Sequence, residues 1–190
     1  MLSAPQLLVA FRAGCGPALF VFACYGFNGY LMAATVIAAV ISDILDGVVA
    51  RRTGTATAAL RHADTVVDTF FFAAAGIALR VAVPHAYQGL WLPLILLIVI
   101  HVSRSTYELT KYGRLAAYHM WSSKALGLVL LAALVTAFVT GRPTWLLAAG
   151  LWFGVINELE GFLASLMLSE WRCDVPSVFH AAAHLSSARP

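Results

Sequence analysis

An all-α integral membrane protein with six transmembrane helices is the fold class this chain predicts. Composition is the first reason: of 190 residues, 61% are hydrophobic and only 11% charged, and mean hydropathy is +0.84, far too apolar for an ordinary soluble domain. The second is that the apolar residues gather into six runs, most near the ~20 residues that cross a ~30 Å hydrocarbon core. The third is that no run alternates as a barrel strand would. Each run is therefore read as a helix, because backbone groups in lipid need partners within their own segment. The length suits one domain, residues 1–190, with a short tail from about residue 169.

The first run, Pro5–Phe27, resembles a signal peptide in length only. It lacks a basic leading region, and Arg12 interrupts it, so it is read as a mature helix. The second, Gly29–Ala50, ends on two aspartates, and the third, Asp64–Val83, begins on two more. The fourth, Leu90–Arg104, is short but extends through Ser105–Leu109. Ser122–Thr140 and Trp145–Leu168 complete the set, and Trp171–His180, with Asp174 and Pro176, reads as a segment lying along the membrane surface. Cys15, Cys24 and Cys173 have no metal or redox spacing and read as small buried hydrophobes. There is no tandem repeat.

Six crossings put both termini on one side. That side carries Arg51, Arg52 and Arg61, then Arg104, Lys111, Arg114 and Lys124, then Arg172 and Arg189; the other carries only Arg80 and Arg142. The positive-inside rule makes the basic side cytoplasmic, which predicts a multi-pass protein of the cell (inner) membrane. The basic loops also suit an anionic leaflet.

Four of the nine carboxylates fall between Asp43 and Asp68, at the cytoplasmic ends of the second and third helices. A lone charge at the bilayer centre costs about 2.5–3.5 kcal/mol on the mildest scale, so acids at membrane depth mark function. Asp43 and Asp46 are spaced i,i+3 and Asp64 and Asp68 i,i+4, so each pair shares a helical face. If the two helices are neighbours, four carboxylates converge and repel. Divalent cations remove that conflict. An all-oxygen set without His or Cys at ligand spacing favours Mg²⁺ or Mn²⁺ over zinc. Gly47 and Ala50 leave room beside the acids, and Arg51 is a fork suited to phosphate. His62, between the pairs, reads as a loop residue.

At these residues the chain resembles the CDP-alcohol phosphatidyltransferase family, whose pattern is D-x-x-D-G-x-x-A-R, eight residues, G-x-x-x-D-x-x-x-D. Asp43, Asp46, Gly47, Ala50, Arg51, Asp64 and Asp68 fill seven of its eight fixed positions. Leu60 stands where the family has glycine, on one stripe with Asp64 and Asp68. Pro5 to Arg12 is similar to the family's opening, with Gln6 in place of its Asn. The resemblance implies transfer of a phosphatidyl group from a CDP-linked lipid such as CDP-diacylglycerol to an alcohol, with release of CMP, in phospholipid biosynthesis. It implies Asp43, Asp46, Asp64 and Asp68 as ligands of two metal ions, with Asp68 also the catalytic base. It places Gly47, Ala50, Arg51 and the position of Leu60 around the nucleotide.

Expected partners are the CDP-lipid, a small alcohol or phosphorylated alcohol, membrane lipids and, as an open possibility, a second copy of the chain; nucleic acid is not expected. Arg104, Lys111, Arg114 and Lys124 either hold a phosphorylated acceptor or follow plain topology. Tyr118, His119 and Ser123 are further acceptor candidates, while interfacial anchoring accounts equally for Tyr118 and Trp121. Glu158 and Glu160 are either partners of the basic cluster or part of a polar cavity. Two rival readings remain at this level: a catalytically altered or inactive family member, on account of Leu60, and a divalent-cation transporter.

Overall fold

A computed structural model describes residues 3–55 and 57–187. It contains seven helices: α1 (Ala4–Cys24), α2 (Gly29–Thr53), α3 (Ala58–Ala82), α4 (Trp91–Tyr112), α5 (Trp121–Thr140), α6 (Trp145–Met167) and α7 (Val178–Ser187). The first six are long and apolar enough to cross a membrane. Among the described residues no strand forms, and the one β-bridge joins Ala117 to Cys173. Exposed tryptophans begin α4, α5 and α6, the placement that interfacial anchoring favours.

The ends of the helices are set by capping chemistry, which apolar runs do not reveal. The Ser3 amide donates to the Gln6 side chain at 2.8 Å and starts α1. Asn28 accepts from the Tyr30 amide at 2.9 Å and starts α2, which ends on Gly54 in the left-handed region, φ 66°. Thr57 accepts from the Leu60 amide at 3.2 Å. Helix α3 therefore begins at Ala58, six residues before the apolar run. This corrects the reading of His62, which lies inside α3 rather than in a loop.

The chain forms two compact units, one of residues 1–88 and 130–147, the other of residues 89–129 and 148–190. In the first, α1 packs on both α2 and α3. The buried positions of α1 include Pro5, Val9, Arg12, Gly16, Leu19 and Ala23, a stripe with steps of four and three. Buried positions include Met32, Val36, Ala39 and Asp46 on α2 and Phe71, Ala75, Ala78 and Leu79 on α3. Many of these residues are small. Lipid supplies no hydrophobic drive between helices, so they must gain contact by close backbone approach. Gly16 marks that approach: a Cβ there would lie 3.1 Å from the Ala74 Cβ and 3.4 Å from the Phe70 ring. Cys15 is buried as expected, but Cys24 is exposed and Cys173 half-buried, because both lie off the packed stripes; all three thiols are free.

In the second unit, Ala116, Tyr118, Met120, Ala164, Leu168, Val175 and Ala181 form a small core. The tail is thus anchored more firmly than a surface segment. Val175 and Ala181 are buried, the Asp174 amide donates to the Ala117 carbonyl at 3.1 Å, and the Trp121 amide donates to that of Pro176 at 3.1 Å. The tail also gains the helix α7, on which Phe179 is exposed.

Because a Cβ at Gly16 would already press on Ala74 and Phe70 of α3, Gly16→Leu is expected to overpack the seam and cost about 1–3 kcal/mol. Thermal unfolding in detergent measures this. Melting at the wild-type temperature would mean that the two helices are not in close contact there.

Candidate active site

The apolar seam of the first unit turns polar at one end, and the four motif aspartates gather there. The ends of α2 and α3 bring them together around a residue of α1. Arg12, 1% exposed, reaches all four. One terminal nitrogen pairs with Asp43 and, at 3.0 Å, with Asp68. The other donates to Asp64 and, at 3.0 Å, to Asp46. Each nitrogen therefore bridges one acid of α2 and one of α3. Asp46 is the deepest of the four, while Asp43 and Asp68 keep 40% and 32% of their side chains exposed.

Asp43, Asp64 and Asp68 each place an oxygen within 4.8 Å of the others. Three converging carboxylates, with no sulfur or imidazole, fit a hard divalent cation. Charge agrees, since Arg12 alone carries one positive charge against the four carboxylates it contacts.

Beside the acids a pocket is lined by Asp46, Gly47, Ala50, Arg51, Leu60, Arg61 and Asp64. The structure thus brings Gly47, Ala50, Arg51 and Leu60 to one pocket. A Cβ at Gly47 would meet only the end of the Arg51 side chain, at an ordinary contact distance of 3.4 Å. The Thr57 cap sets the register that turns Leu60 and Asp64 to the same pocket.

Two residues of this site escaped the sequence reading. Arg61 was noted only as part of the basic loop. Arg12 was noted only as a break in an apolar run and a match to the family's opening. Its signal was present: it falls on the four-three stripe of α1, and an arginine buried in such a stripe must find carboxylates.

The acceptor candidates lie in the second unit, where most are bound to one another. Arg104 donates to Glu108 at 2.8 Å and to Glu158 at 3.2 Å, and its guanidinium lies 5.6 Å from the centre of the Tyr118 ring. His101 pairs with Glu158 at 3.1 Å. Glu108, buried and unremarked in the sequence, also accepts from the Ala116 amide at 2.8 Å and the Ser165 hydroxyl at 2.6 Å. Gly161 admits the Arg104 guanidinium, which a side chain there would strike.

Lys111 donates to the Ser165 carbonyl at 2.9 Å, and Arg114 stacks on Trp171 at 4.0 Å. Tyr118 is buried and shares a 2.9 Å hydrogen bond with the Ser165 hydroxyl, so it is not an interfacial anchor. Burial raises its phenol above the ordinary value, which keeps it neutral. Ser123 accepts from Asn157 at 2.9 Å. His119 adopts φ 51°. Glu158 is thus an inter-helix partner, whereas Glu160 accepts from the Val178 amide at 3.2 Å and caps α7. Three members of the basic cluster, Arg104, Lys111 and Arg114, thus have partners within this unit.

A sequence profile of the CDP-alcohol phosphatidyltransferase family matches residues 2–156. The chain belongs to that family. No curated relative and no solved structure matches it. The family carries transferase activity of the CDP-alcohol phosphatidyltransferase type and generally depends on divalent cations. Together with the six apolar helices, the match makes this a multi-pass membrane protein. It also sets the chain among transferases rather than cation transporters.

Glu108 accepts three hydrogen bonds out of reach of water, so Glu108→Ala should cost at least about 2 kcal/mol through the unsatisfied groups it leaves. Arg114→Ala, which removes a stacked surface contact, should cost less than about 1 kcal/mol. Paired thermal melts test the contrast, and equal shifts would show that Glu108 does not organise this unit.

Proposed function

We propose that the protein transfers the phosphatidyl group of a CDP-linked lipid such as CDP-diacylglycerol to a small alcohol or its phosphate ester, releasing CMP. The observation that carries this reading is the convergence of Asp43, Asp46, Asp64 and Asp68 beside the pocket of Gly47, Ala50, Arg51 and Leu60. The Lys and Arg distribution supports a site at the cytoplasmic face of the inner membrane, with both termini on that side. The chain is read as one six-helix transmembrane domain with a short tail, able to work alone or as a homodimer.

The four aspartates would hold Mg²⁺ or Mn²⁺, two ions in this reading. A bound ion of this kind neutralises pyrophosphate charge and the charge that develops on the leaving group. The residues then divide the remaining work. Gly47 and Ala50 let the nucleotide approach, and Arg51 presents its fork to phosphate. Asp68, with part of its side chain exposed, takes the proton of the acceptor hydroxyl. The acceptor oxygen forms a bond to the phosphatidyl phosphorus. The bond from that phosphorus to the bridging oxygen breaks, and CMP leaves with the electron pair.

The experiment is direct: purified protein in detergent, CDP-diacylglycerol, Mg²⁺ or Mn²⁺, and a panel of alcohols, with CMP release measured. Release that depends on both cation and acceptor is expected. Asp64→Asn should abolish it while leaving the fold intact, and near-normal turnover by that variant would remove the shared metal site. Asp68→Asn should keep CDP-lipid binding and lose at least about 10²–10⁴-fold in turnover, the usual worth of a general base. Equal loss of binding and turnover would make Asp68 a ligand only.

Leu60 favours a second reading, a member with altered nucleotide use, because its side chain occupies the pocket where the family has glycine. Leu60→Gly is expected to tighten binding of CDP or CDP-diacylglycerol by tenfold or more, about 1.4 kcal/mol. Weaker binding by the glycine variant would show that leucine is a working wall of the pocket.

A further inference from the structure

We infer that Arg12 is a resident counter-cation of the carboxylate site, which a divalent cation must displace to bind. This rests on the reading of Asp43, Asp46, Asp64 and Asp68 as metal ligands and adds a competitor from within the chain. Arg12 pairs with all three carboxylates that converge as a ligand set, Asp43, Asp64 and Asp68, and with Asp46 beside them. A guanidinium and an ion compete for the same carboxylates. The acids cannot stay together without a positive charge, since like charges at this range repel strongly in a medium of low dielectric.

The arrangement of Arg12 suits exchange. Both terminal nitrogens are committed to the aspartates, whereas Nε is buried with no hydrogen-bond partner. The carboxylates alone hold the polar end of the side chain. Arginine remains charged at every working pH, so Arg12 cannot leave the acids by losing a proton and has to be displaced by another cation. Two consequences follow. In the absence of metal, Arg12 holds the ends of α2 and α3 together. When metal binds, part of the intrinsic affinity is spent in moving the guanidinium, so the measured affinity is lower than the bare carboxylates would give.

The test compares wild type with Arg12→Gln, both purified in detergent and stripped with chelator. Mn²⁺ affinity is read by calorimetry and stability by thermal unfolding with and without Mn²⁺. The variant should melt below wild type without metal, bind Mn²⁺ tenfold or more tightly, and gain more stability from it. Adding Asp64→Asn should remove the binding in both backgrounds. Equal or weaker Mn²⁺ binding by Arg12→Gln, with binding intact in wild type, overturns the proposal and spares the metal reading. No Mn²⁺ binding by either protein overturns both. If the variant does not survive chelation, it is purified in Mn²⁺ throughout. A fold that persists in Mn²⁺ and collapses on chelation, where wild type persists, supports the proposal. A variant that fails to fold even in saturating Mn²⁺ overturns it.

Discussion

Four carboxylates at one end of an apolar helix seam can stay together only if positive charge is brought to them, and the first unit is organised around that requirement. Arg12 supplies part of the charge from α1, on the same stripe of positions that forms the packed seam. The small residues along the seam let α1 lie close enough to α2 and α3 for one guanidinium to span both acidic pairs. Removing one partner of such a buried set leaves an uncompensated charge, which is far more costly than never having placed it there. The packing and the site are therefore one construction, and the charge sets the geometry that the apolar residues must accommodate.

The second unit meets the same difficulty with the opposite balance. Arg104 lies between Glu108 and Glu158, His101 adds a further contact, and Ser165, Tyr118 and the Ala116 amide complete the hydrogen bonding. Two acids meet a guanidinium and an imidazole, and little charge is left over. Such a network is closed and serves to fasten α4 to α6. In the first unit four acids gather around one buried guanidinium, and three of them converge closely enough that they could hold a metal ion. The two networks differ in this balance of acids and cations.

Much of this was legible in the chain. Hydropathy located six spans because lipid demands long apolar helices whatever the tertiary fold. The spacing of Asp43, Asp46, Asp64 and Asp68 placed each pair on one face because helical periodicity is local. The end points were less legible. Apolar runs stop where lipid stops, but α3 starts where Thr57 caps it, and His62 moved from loop to helix for that reason. The tail was read as a surface segment because its polar residues hide the burial of Val175 and Ala181.

The sequence by itself determined the class of fold, the acids, the neighbours that share their pocket and the family, since each depends on composition or on short-range spacing. Only the tertiary structure decided which cation stands among the acids. Arg12 is 31 residues from Asp43 and 52 from Asp64, and no local periodicity relates them. It likewise decided that Arg104 pairs with Glu108 and Glu158. A buried charge must be paired, but which partner it finds depends on which helices pack together. That is a property of the assembled seam and not of any one stretch of chain.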